Sequence, residues 1–496
     1  MATSLLTTVI SFVLGGALAW LEVTSDFRFK KAIRSFSMIA FIIPPYILGL
    51  AWVQFFGRNG YLERMLRSFF IFQEYTFPYY SIVAVAIVMA LHLYPLMYMS
   101  LRNALAQQEK NLEKAALLSG ASYWNTVFSI TLPLIKPSLF ATGLLIFSRT
   151  MANFTVPALL ALPARKEYLT TLVYSAISGL DIATASAVSL FLVAISTVLF
   201  WSQHSMAKKG LQYVSAGQGG GGTSLVSLKG HSIWVSLLFF LIMGVTIILP
   251  IVTMFFSSFL KRWGLPLQWQ YSTLANYAEL LSPKGKAFIA FRNSIVYGVV
   301  AASFALIIGG ATAYVAHTSK TTRSKVLESI ATWPMAFPNI VLAVAAVLAW
   351  NHGPLHVYGT PWAIILTYMV LFIPIVMKQV TGLIQNYDTK LLFAARLSGA
   401  SPLQSFVTIT LPILAPGLKS GFIICFLIAL QEIPISLMLY FTGQETVGVL
   451  LFGMHSKSYG LEMTSALSMV IILLLLIGNI IIRRITRKHT YENTAY

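Results

Sequence analysis

The sequence predicts an all-α polytopic membrane protein made of two tandem homologous halves with about six helices each. Three observations support this fold class. Of the 496 residues, 57% are hydrophobic and only 10% are charged, whereas a soluble globular chain carries about 25% charged residues. The apolar residues form runs of roughly 20 residues, the length that crosses a bilayer as a helix. A short polar motif also occurs twice, around Gly120 and again 279 residues later around Gly399.

Eleven apolar runs are predicted to be membrane-spanning helices, because a β-barrel would show short alternating segments instead. In the first half the runs are residues 2–20, 36–56, 80–100, 138–160 and 181–202. In the second half they are residues 232–257, 294–316, 330–350, 362–380, 418–441 and 463–482. The first half therefore has one run fewer than the second.

The repeat extends beyond the polar motif. Residues 15–20 (GGALAW) parallel residues 309–314 (GGATAY), and residues 93–95 (LYP) parallel residues 372–374 (FIP). The two halves are therefore predicted to share one topology, as parallel repeats do. Because the second half has an additional run before its copy, we expect the first half to lack the first helix of the repeat. A protein built with eleven helices is the alternative.

The distribution of charge predicts the orientation of the chain. The formal net charge is +19, and Lys and Arg concentrate in residues 28–34, 320–325 and 483–488. These segments fall on one side if the spans alternate, and the positive-inside rule places that side in the cytoplasm. Because the basic residues do not cluster on a soluble domain, we predict no nucleic-acid partner. The predicted location is the bacterial plasma (inner) membrane, with the lipid bilayer around a multi-pass chain.

Residues 203–229 are predicted to be a cytoplasmic linker, since their Gly/Ser-rich run at 217–224 is typical of flexible coil. The linker separates a first domain, residues 1–202 with about five transmembrane helices, from a second, residues 230–496 with about six. The polar loop of the first domain lies near 109–137, and that of the second lies near 388–416. No G-x-x-x-x-G-K-[ST] pattern occurs in the sequence, so we do not predict a nucleotide-binding site in this chain.

The repeated motif predicts a helix, a turn and a second helix. The first copy reads AALLSGAS up to Ser122 and then ITLP up to Pro133; the second reads AARLSGAS up to Ser401 and then ITLP up to Pro412. Glycine permits the backbone to turn after the first helix. Ser122 and Ser401 are predicted to cap the second helix. The two prolines are expected to end that helix before the next span.

These residues resemble the EAA loop (EAA, three residues, G, nine residues, I-x-LP) of permease subunits in binding-protein-dependent ABC importers. The match covers the A-A-x-x-x-G core and the I-x-L-P end in both halves, but the expected Glu is Lys114 in the first copy and Phe393 in the second. The resemblance implies that both loops are coupling helices that insert into ATPase subunits. The implied coupling residues are Glu113, Ala115, Ala116, Gly120, Leu132, Pro133, Ala394, Ala395, Gly399, Leu411 and Pro412.

The resemblance also implies partners and a substrate. Two copies of an ABC ATPase subunit would dock on the cytoplasmic loops, and an extracytoplasmic substrate-binding protein would deliver the substrate. The permease itself would carry no catalytic residue and no cofactor. Iron(III) is the expected substrate, because four segments are similar to fused permeases of the iron(III) import group: residues 44–52, 153–160, 432–436 and 443–446. Similar permeases that move thiamine, polyamines or aminoethylphosphonate remain alternatives.

Four polar residues within the predicted spans are candidates for the translocation path. Arg149 and Asn153 lie one turn apart in the run at 138–160, and Gln431 and Glu432 lie in the run at 418–441. Polar groups inside a membrane are costly and tend to face a pathway or a partner. A negative Glu432 would suit a cation, whereas Arg149 would pair with it or steer an anion. A purely structural hydrogen-bonded cluster is the alternative, and a nearby proline in each run indicates a broken helix.

Two other classes of protein remain open. An ion-coupled secondary transporter can also show repeats and intramembrane charges, but it would have no reason for two glycine-centred cytoplasmic loops. A membrane-embedded enzyme would need a catalytic constellation, and none is visible in the sequence. The single cysteine, Cys425, excludes an internal disulfide. We predict that His92 is a packed structural residue, and we predict no metal site.

Overall fold

The computed structural model of the protein describes every residue except 69–76, 108–109, 216–225, 284, 320, 353–354, 385–394, 396, 457–459 and 494–496. Within the described residues, nine helices are long and apolar enough to cross a membrane, and two bent helix pairs raise the number to eleven if each pair is one crossing. β structure in this part of the chain consists of two isolated bridges. The predicted all-α polytopic fold class is therefore confirmed.

The first group of helices extends to residue 258 and ends with the crossing that follows the linker. They are α1 Ala2–Thr24, α2 Lys30–Ile42, α3 Pro45–Phe56, α4 Tyr61–Ser68, α5 Ile82–Ala106, α6 Lys110–Leu118, α7 Tyr123–Thr126, α8 Leu132–Ala152, α9 Thr155–Leu160, α10 Leu169–Ser178, α11 Ile182–Ser215, α12 Ser232–Met243 and α13 Leu249–Ser258. The short helices α9 and α10, between two long crossings, were not expected from the apolar runs.

The remaining helices repeat much of this order. They are α14 Ala275–Leu280, α15 Lys286–Ser319, α16 Thr322–Thr332, α17 Asn339–His352, α18 Pro361–Ile384, α19 Pro402–Ser405, α20 Leu411–Gln431, α21 Pro434–Leu439, α22 Val447–Ser456 and α23 Leu461–Asn493. Short helices α21 and α22 occupy the positions in this half that α9 and α10 occupy in the first.

The chain forms two compact units, residues 1–257 with 264–267 and residues 258–263 with 268–496. Helix α12 follows the linker in sequence but packs within the first unit, where the ring of Phe239 contacts those of Phe27 and Phe36 at centroid distances of 5.6 and 6.4 Å. Which helices pack together does not show where one sequence repeat ends and the next begins. The predicted boundary between homologous halves at residues 203–229 therefore stays a prediction.

Two of the predicted spans, residues 36–56 and 330–350, are not single helices, because each contains a sharp bend. The chain bends by 93° between α2 and α3, and by 112° between residues 322–336 and α17. The backbone is extended before proline at both bends, with ψ of 122° at Ile43 and 137° at Phe337. A residue before proline is driven out of the helical region by the proline ring. Apolar content alone gave no sign of this change in direction.

Each half contains a close helix crossing at a glycine. A β-carbon on Gly15 of α1 would lie 2.5 Å from the carbonyl oxygen of Tyr94 in α5. A β-carbon on Gly309 of α15 would lie 2.7 Å from the carbonyl oxygen of Ile373 in α18. Small residues let membrane helices approach closely. The segments that the sequence repeats, GGALAW with LYP and GGATAY with FIP, are therefore the segments that pack together.

The end of the predicted linker is anchored on the turn that follows α1. Val226 donates its N–H to the carbonyl of Thr24 at 2.7 Å, and Leu228 donates its N–H to the carboxylate of Asp26 at 2.9 Å. This N–H stabilises the charged carboxylate and holds the pKa of Asp26 below its usual value. Helix α11 continues to Ser215, where the sequence predicts a linker. The Gly/Ser-rich run at 217–224 lies outside the described residues.

Candidate functional site

The first loop (residues 109–137) turns at a glycine in the left-handed conformation. Helix α6 ends where Ala121 donates its N–H to the carbonyl of Ala116 at 3.0 Å and Gly120 donates to Leu117 at 3.1 Å. This pair of bonds is the Schellman motif, which requires a left-handed residue after the helix. Gly120 supplies it with φ of +86°. A β-carbon there would meet no atom within 4 Å, so the backbone conformation, and not crowding by neighbours, favours glycine at this position.

The second loop (residues 388–416) repeats this geometry. Ala400 donates its N–H to the carbonyl of Ala395 at 3.0 Å, and Gly399 has φ of +87°. Ala394, the other alanine of the predicted coupling set, lies outside the described residues. The two glycine turns therefore agree in hydrogen bonding and in backbone angle.

The predicted serine caps are confirmed in both loops. The hydroxyl oxygen of Ser122 accepts from the N–H of Asn125, and that of Ser401 accepts from the N–H of Gln404, each at 3.2 Å. In the second loop the side-chain oxygen of Gln404 also accepts from the N–H of Ser401 at 2.9 Å. This reciprocal pair is a capping box, which satisfies two otherwise unpaired N–H groups.

The expectation that Pro133 and Pro412 end the second helix of each loop is wrong. The helix continues into the membrane as one span, Tyr123–Ala152 in the first half and Leu403–Gln431 in the second. Each proline follows a π-helical turn, Val127–Thr131 or Phe406–Thr410. Proline has no N–H to donate, so each helix gives up one backbone hydrogen bond at this point but does not end there. Each loop is therefore continuous with a long transmembrane helix.

Both loops expose large hydrophobic side chains that the sequence reasoning did not select. We call Leu118, Trp124 and Phe128 the first patch, and Leu397, Leu403 and Val407 the second patch. Leu118 is 89% exposed and Leu397 is 90% exposed, and the other members are more than half exposed. Each member of the first patch lies 279 residues before its counterpart in the second. The shared L-S-G-A-S segment could have identified the two leucines, but only the structure reveals the exposure of the others.

The remaining predicted coupling residues divide between exposed and anchored positions. Ala115 and Pro133 are exposed, as are Leu411 and Pro412, while Ala116 and Leu132 are half-buried. Glu113 is anchored, because its Oε1 accepts a hydrogen bond of 2.6 Å from the hydroxyl of the buried Thr131. This bond joins α6 to the π-helical turn that follows in the same loop.

Two candidate path residues, Asn153 and Glu432, occupy equivalent positions in the two halves. Each follows the C-terminus of a long helix and has an extended backbone, with φ/ψ of −73°/128° at Asn153 and −72°/128° at Glu432. The side chain of Asn153 accepts from the N–H of Val156 at 3.0 Å and so caps α9. The broken helix predicted at this depth is therefore present in both halves.

Glu432 is buried and surrounded by hydrogen-bond donors. Its carboxylate accepts from the backbone N–H groups of Ile435 at 3.0 Å and Ser436 at 3.1 Å, which caps α21. The side chains of Asn339 and Tyr368 approach it at 3.5 and 3.4 Å. Hydrogen bonds of this kind stabilise a buried carboxylate without a cation.

Arg149 and Gln431 are more accessible than Glu432. Arg149 is exposed although it lies within the span Tyr123–Ala152, and Gln431 is half-buried at the end of its span. A guanidinium group facing hydrocarbon would be costly, so an exposed arginine in a span is expected to face water or a partner. His92 is packed, with its ring stacked on that of Phe41 at a centroid distance of 5.4 Å.

Comparisons with known proteins bear on both halves. The family described as "Binding-protein-dependent transport system inner membrane component" matches residues 11–209 and again residues 305–490. A ferric transport system permease protein of Actinobacillus pleuropneumoniae is 27% identical over 432 residues, which are 86% of this chain and 61% of that protein. A molybdenum transport system permease protein of Escherichia coli (strain K12) is 30% identical over 176 residues, 35% of this chain and 75% of that protein.

Proposed function

Since the chain belongs to the family of binding-protein-dependent transport system inner membrane components, we propose that it is the transmembrane permease of an ATP-driven ABC importer. It is a multi-pass protein of the inner membrane, with the family domain present twice. In this role it forms the substrate path, while ATP hydrolysis belongs to a partner. The chain spans about three-fifths of the ferric permease that it matches (61%).

The observation that carries the proposal is the pair of hydrophobic patches beside two identical glycine turns. Leucines that are about nine-tenths exposed, at the same place in two loops, mark a surface that a partner covers. The same register in both loops suits a partner that presents one pocket twice, as two copies of an ABC ATPase subunit do. The positive-inside rule puts both loops in the cytoplasm, where ATP is available.

The continuous helices offer a mechanical link from these loops to the candidate path. The span Tyr123–Ala152 has 30 residues, a length of about 45 Å at 1.5 Å per residue. It begins in the first loop and ends immediately before Asn153. The span Leu403–Gln431 likewise begins in the second loop and ends immediately before Glu432. Closure of an ATPase dimer on the loops would displace these helices and change the path at their far ends, and hydrolysis would reset it.

The proposed path is formed by Arg149, Asn153, Gln431 and Glu432. Asn153 and Glu432 fix the short helices α9 and α21 at the break of each span, and non-helical backbone at membrane depth is tolerated where it lines a cavity. Arg149 and Gln431 supply accessible polar groups. The substrate would arrive from an extracytoplasmic binding protein on the opposite face.

Iron(III) is the proposed substrate, supported by similarity to a ferric permease that extends over both halves of the chain. The buried carboxylate of Glu432 is chemically suited to a hard cation. An anion such as the aminoethylphosphonate of related permeases is the second candidate, favoured by the exposed Arg149. An ion-coupled secondary transporter would need neither hydrophobic patch.

A detergent pull-down from the native host tests the proposal. We expect mass spectrometry to find a stoichiometric Walker-type ATPase with the tagged wild-type chain, and to find it lost from the double variant Leu118→Asp with Leu397→Asp. Both leucines are exposed, so the substitutions should not disturb folding. Leu180→Asp is the matched control, because Leu180 is 85% exposed and lies outside both loops. Absence of an ATPase from the wild type, or its retention by the double variant, would reject the proposal.

A further inference from the structure

The two hydrophobic patches agree at one position and differ at the other two. Leucine stands at the end of the first helix in both loops, as Leu118 and Leu397. The next position is Trp124 in the first loop and Leu403 in the second, and the third is Phe128 against Val407. The Trp124 and Phe128 rings lie side by side with centroids 6.2 Å apart. The first patch is therefore larger and aromatic, whereas the second is smaller and aliphatic.

The anchoring of the loops differs as well. In the first loop Glu113 accepts a hydrogen bond from Thr131. The position equivalent to Glu113 is Leu392 in the sequence, and a leucine accepts no hydrogen bond. The hydroxyl of Thr410, the counterpart of Thr131, is buried and has no partner among the residues that the structure describes. An unpaired buried hydroxyl weakens a structure compared with a satisfied one.

We propose that the two loops bind their ATPase subunits unequally, with the first loop as the strong, pre-ordered contact and the second loop as the weak one. This inference rests on the proposed function, because it assigns the ATPase to both patches. Two copies of one ATPase offer the same pocket to each loop, so any difference in affinity must come from the loops themselves. Aromatic residues dominate binding energy at protein interfaces, and an ordered loop loses less conformational entropy on binding.

The unequal loops have a consequence for the transport cycle. The ATPase subunit on the first loop would remain attached while the subunit on the second loop exchanges more readily. The two ATPase sites of the assembled importer would then be functionally distinct even though the subunits are identical.

Blocking one loop at a time isolates each affinity. The probe is the nucleotide-free ATPase that copurifies with the wild-type chain, titrated onto permease in lipid nanodiscs. In the Leu397→Asp variant only the first loop can bind, and in the Leu118→Asp variant only the second. We expect the first loop alone to bind with a Kd about tenfold lower than the second loop alone, since its aromatic residues contribute the larger buried area. Equal Kd values, or tighter binding by the second loop, would overturn the inference.

Exchange of residues between the patches supplies the matched variants. Trp124→Leu with Phe128→Val, made in the Leu397→Asp background, should raise the Kd of the first loop to about that of the second, because it copies the aliphatic patch. Leu403→Trp with Val407→Phe, made in the Leu118→Asp background, should lower the Kd of the second loop. An unchanged Kd in both exchanges would remove the patches as the cause of unequal binding and overturn the inference.

The anchoring bond is tested by a second matched pair. Thr131→Val should weaken binding by the first loop about threefold, because it frees Glu113 and α6 before binding. Thr410→Val should change the Kd of the second loop by less than about twofold, since its hydroxyl has no described partner. Equal effects of the two substitutions would contradict the difference in anchoring. These outcomes differ from failure of the proposed function, in which wild-type permease binds no ATPase or the doubly blocked variant still binds it.

Discussion

Gly120 and Gly399 illustrate how a single residue constrains a docking surface. Their φ angles of +86° and +87° are reached at little cost only by glycine and, to a lesser degree, asparagine. Leu118 and Leu397 lie two residues before these glycines and are exposed, and the capping serine follows on the other side of the turn. The sequence could predict the glycine turn and the cap because both depend on neighbouring residues. It could not predict the exposure of Trp124, which depends on what the rest of the chain leaves uncovered.

Substitution of Gly120 should therefore affect docking in proportion to backbone strain. Gly120→Val forces a β-branched residue into the left-handed region, at a cost of about 2 kcal/mol, and should weaken ATPase binding measured in nanodiscs by tenfold or more. Gly120→Asn should retain most of the affinity, because asparagine tolerates this conformation. Since a β-carbon meets no neighbour there, steric conflict cannot explain a loss. Equal effects of Val and Asn would contradict the role of the backbone angle.

Helix crossings and breaks decide how the elements fit together. The apolar runs predicted where most helices lie, because roughly 20 apolar residues have few alternatives to a membrane helix. They did not predict the 93° bend between α2 and α3 or the π-helical turns before Pro133 and Pro412. Those features reflect local backbone sterics, which hydrophobic content does not encode. The glycine crossings were partly foreseen, since the repeat aligned the segments that proved to pack together.

At the close crossing of α1 and α5, neighbouring glycines in different surroundings allow a prediction and its control. Gly15→Ala places a methyl group 2.5 Å from the Tyr94 carbonyl oxygen, which is backbone and cannot move aside. The helices must separate, and we expect the free energy of unfolding to fall by about 1–3 kcal/mol. At Gly16 the nearest atom would be the Leu101 Cδ1 at 3.5 Å, an ordinary contact. Gly16→Ala should therefore change stability by less than about 0.5 kcal/mol. Thermal unfolding in detergent, followed by tryptophan fluorescence, compares the two; equal midpoints would contradict the close crossing.

Across the whole molecule, buried carboxylates are few and differ in how they are compensated. Within the described residues three glutamates are buried. Glu22 pairs with Arg102, and Glu63 pairs with Arg67, whereas Glu432 has no ion pair in this part of the chain. An unpaired buried charge is costly unless hydrogen bonds or a passing cation compensate it. The sequence identified Glu432 as a candidate from its position in the repeat. Its capping role, and the lack of an ion pair with any described residue, could be found only from the structure.

A substitution at Glu432 can distinguish a role of its charge in the path from a role of its side chain as a helix cap. Glu432→Gln keeps an acceptor oxygen for the N–H groups of Ile435 and Ser436 but removes the charge. The first half indicates that a neutral side chain suffices for capping, because Asn153 caps α9 with nearly the same backbone angles. We therefore expect the variant to fold, to bind its ATPase and to lose at least about tenfold of iron(III) uptake, as removal of a charge that contacts a cation would cause.

Uptake of radiolabelled iron(III) by cells that express the variant, normalised to protein in the membrane, measures this effect. Ser436→Ala is the control, because it removes a hydroxyl beside the carboxylate at 3.5 Å and leaves the charge in place; its uptake should stay within about twofold of wild type. If Glu432→Gln transports as well as wild type, the carboxylate serves only to cap α21, and the charge required for a cation must lie elsewhere. If aminoethylphosphonate rather than iron(III) enters the wild-type cells, the substrate is an anion, which a cationic side chain would bind. The charge of the exposed Arg149 should then be removed, and uptake by that variant should be compared with wild type in the same way.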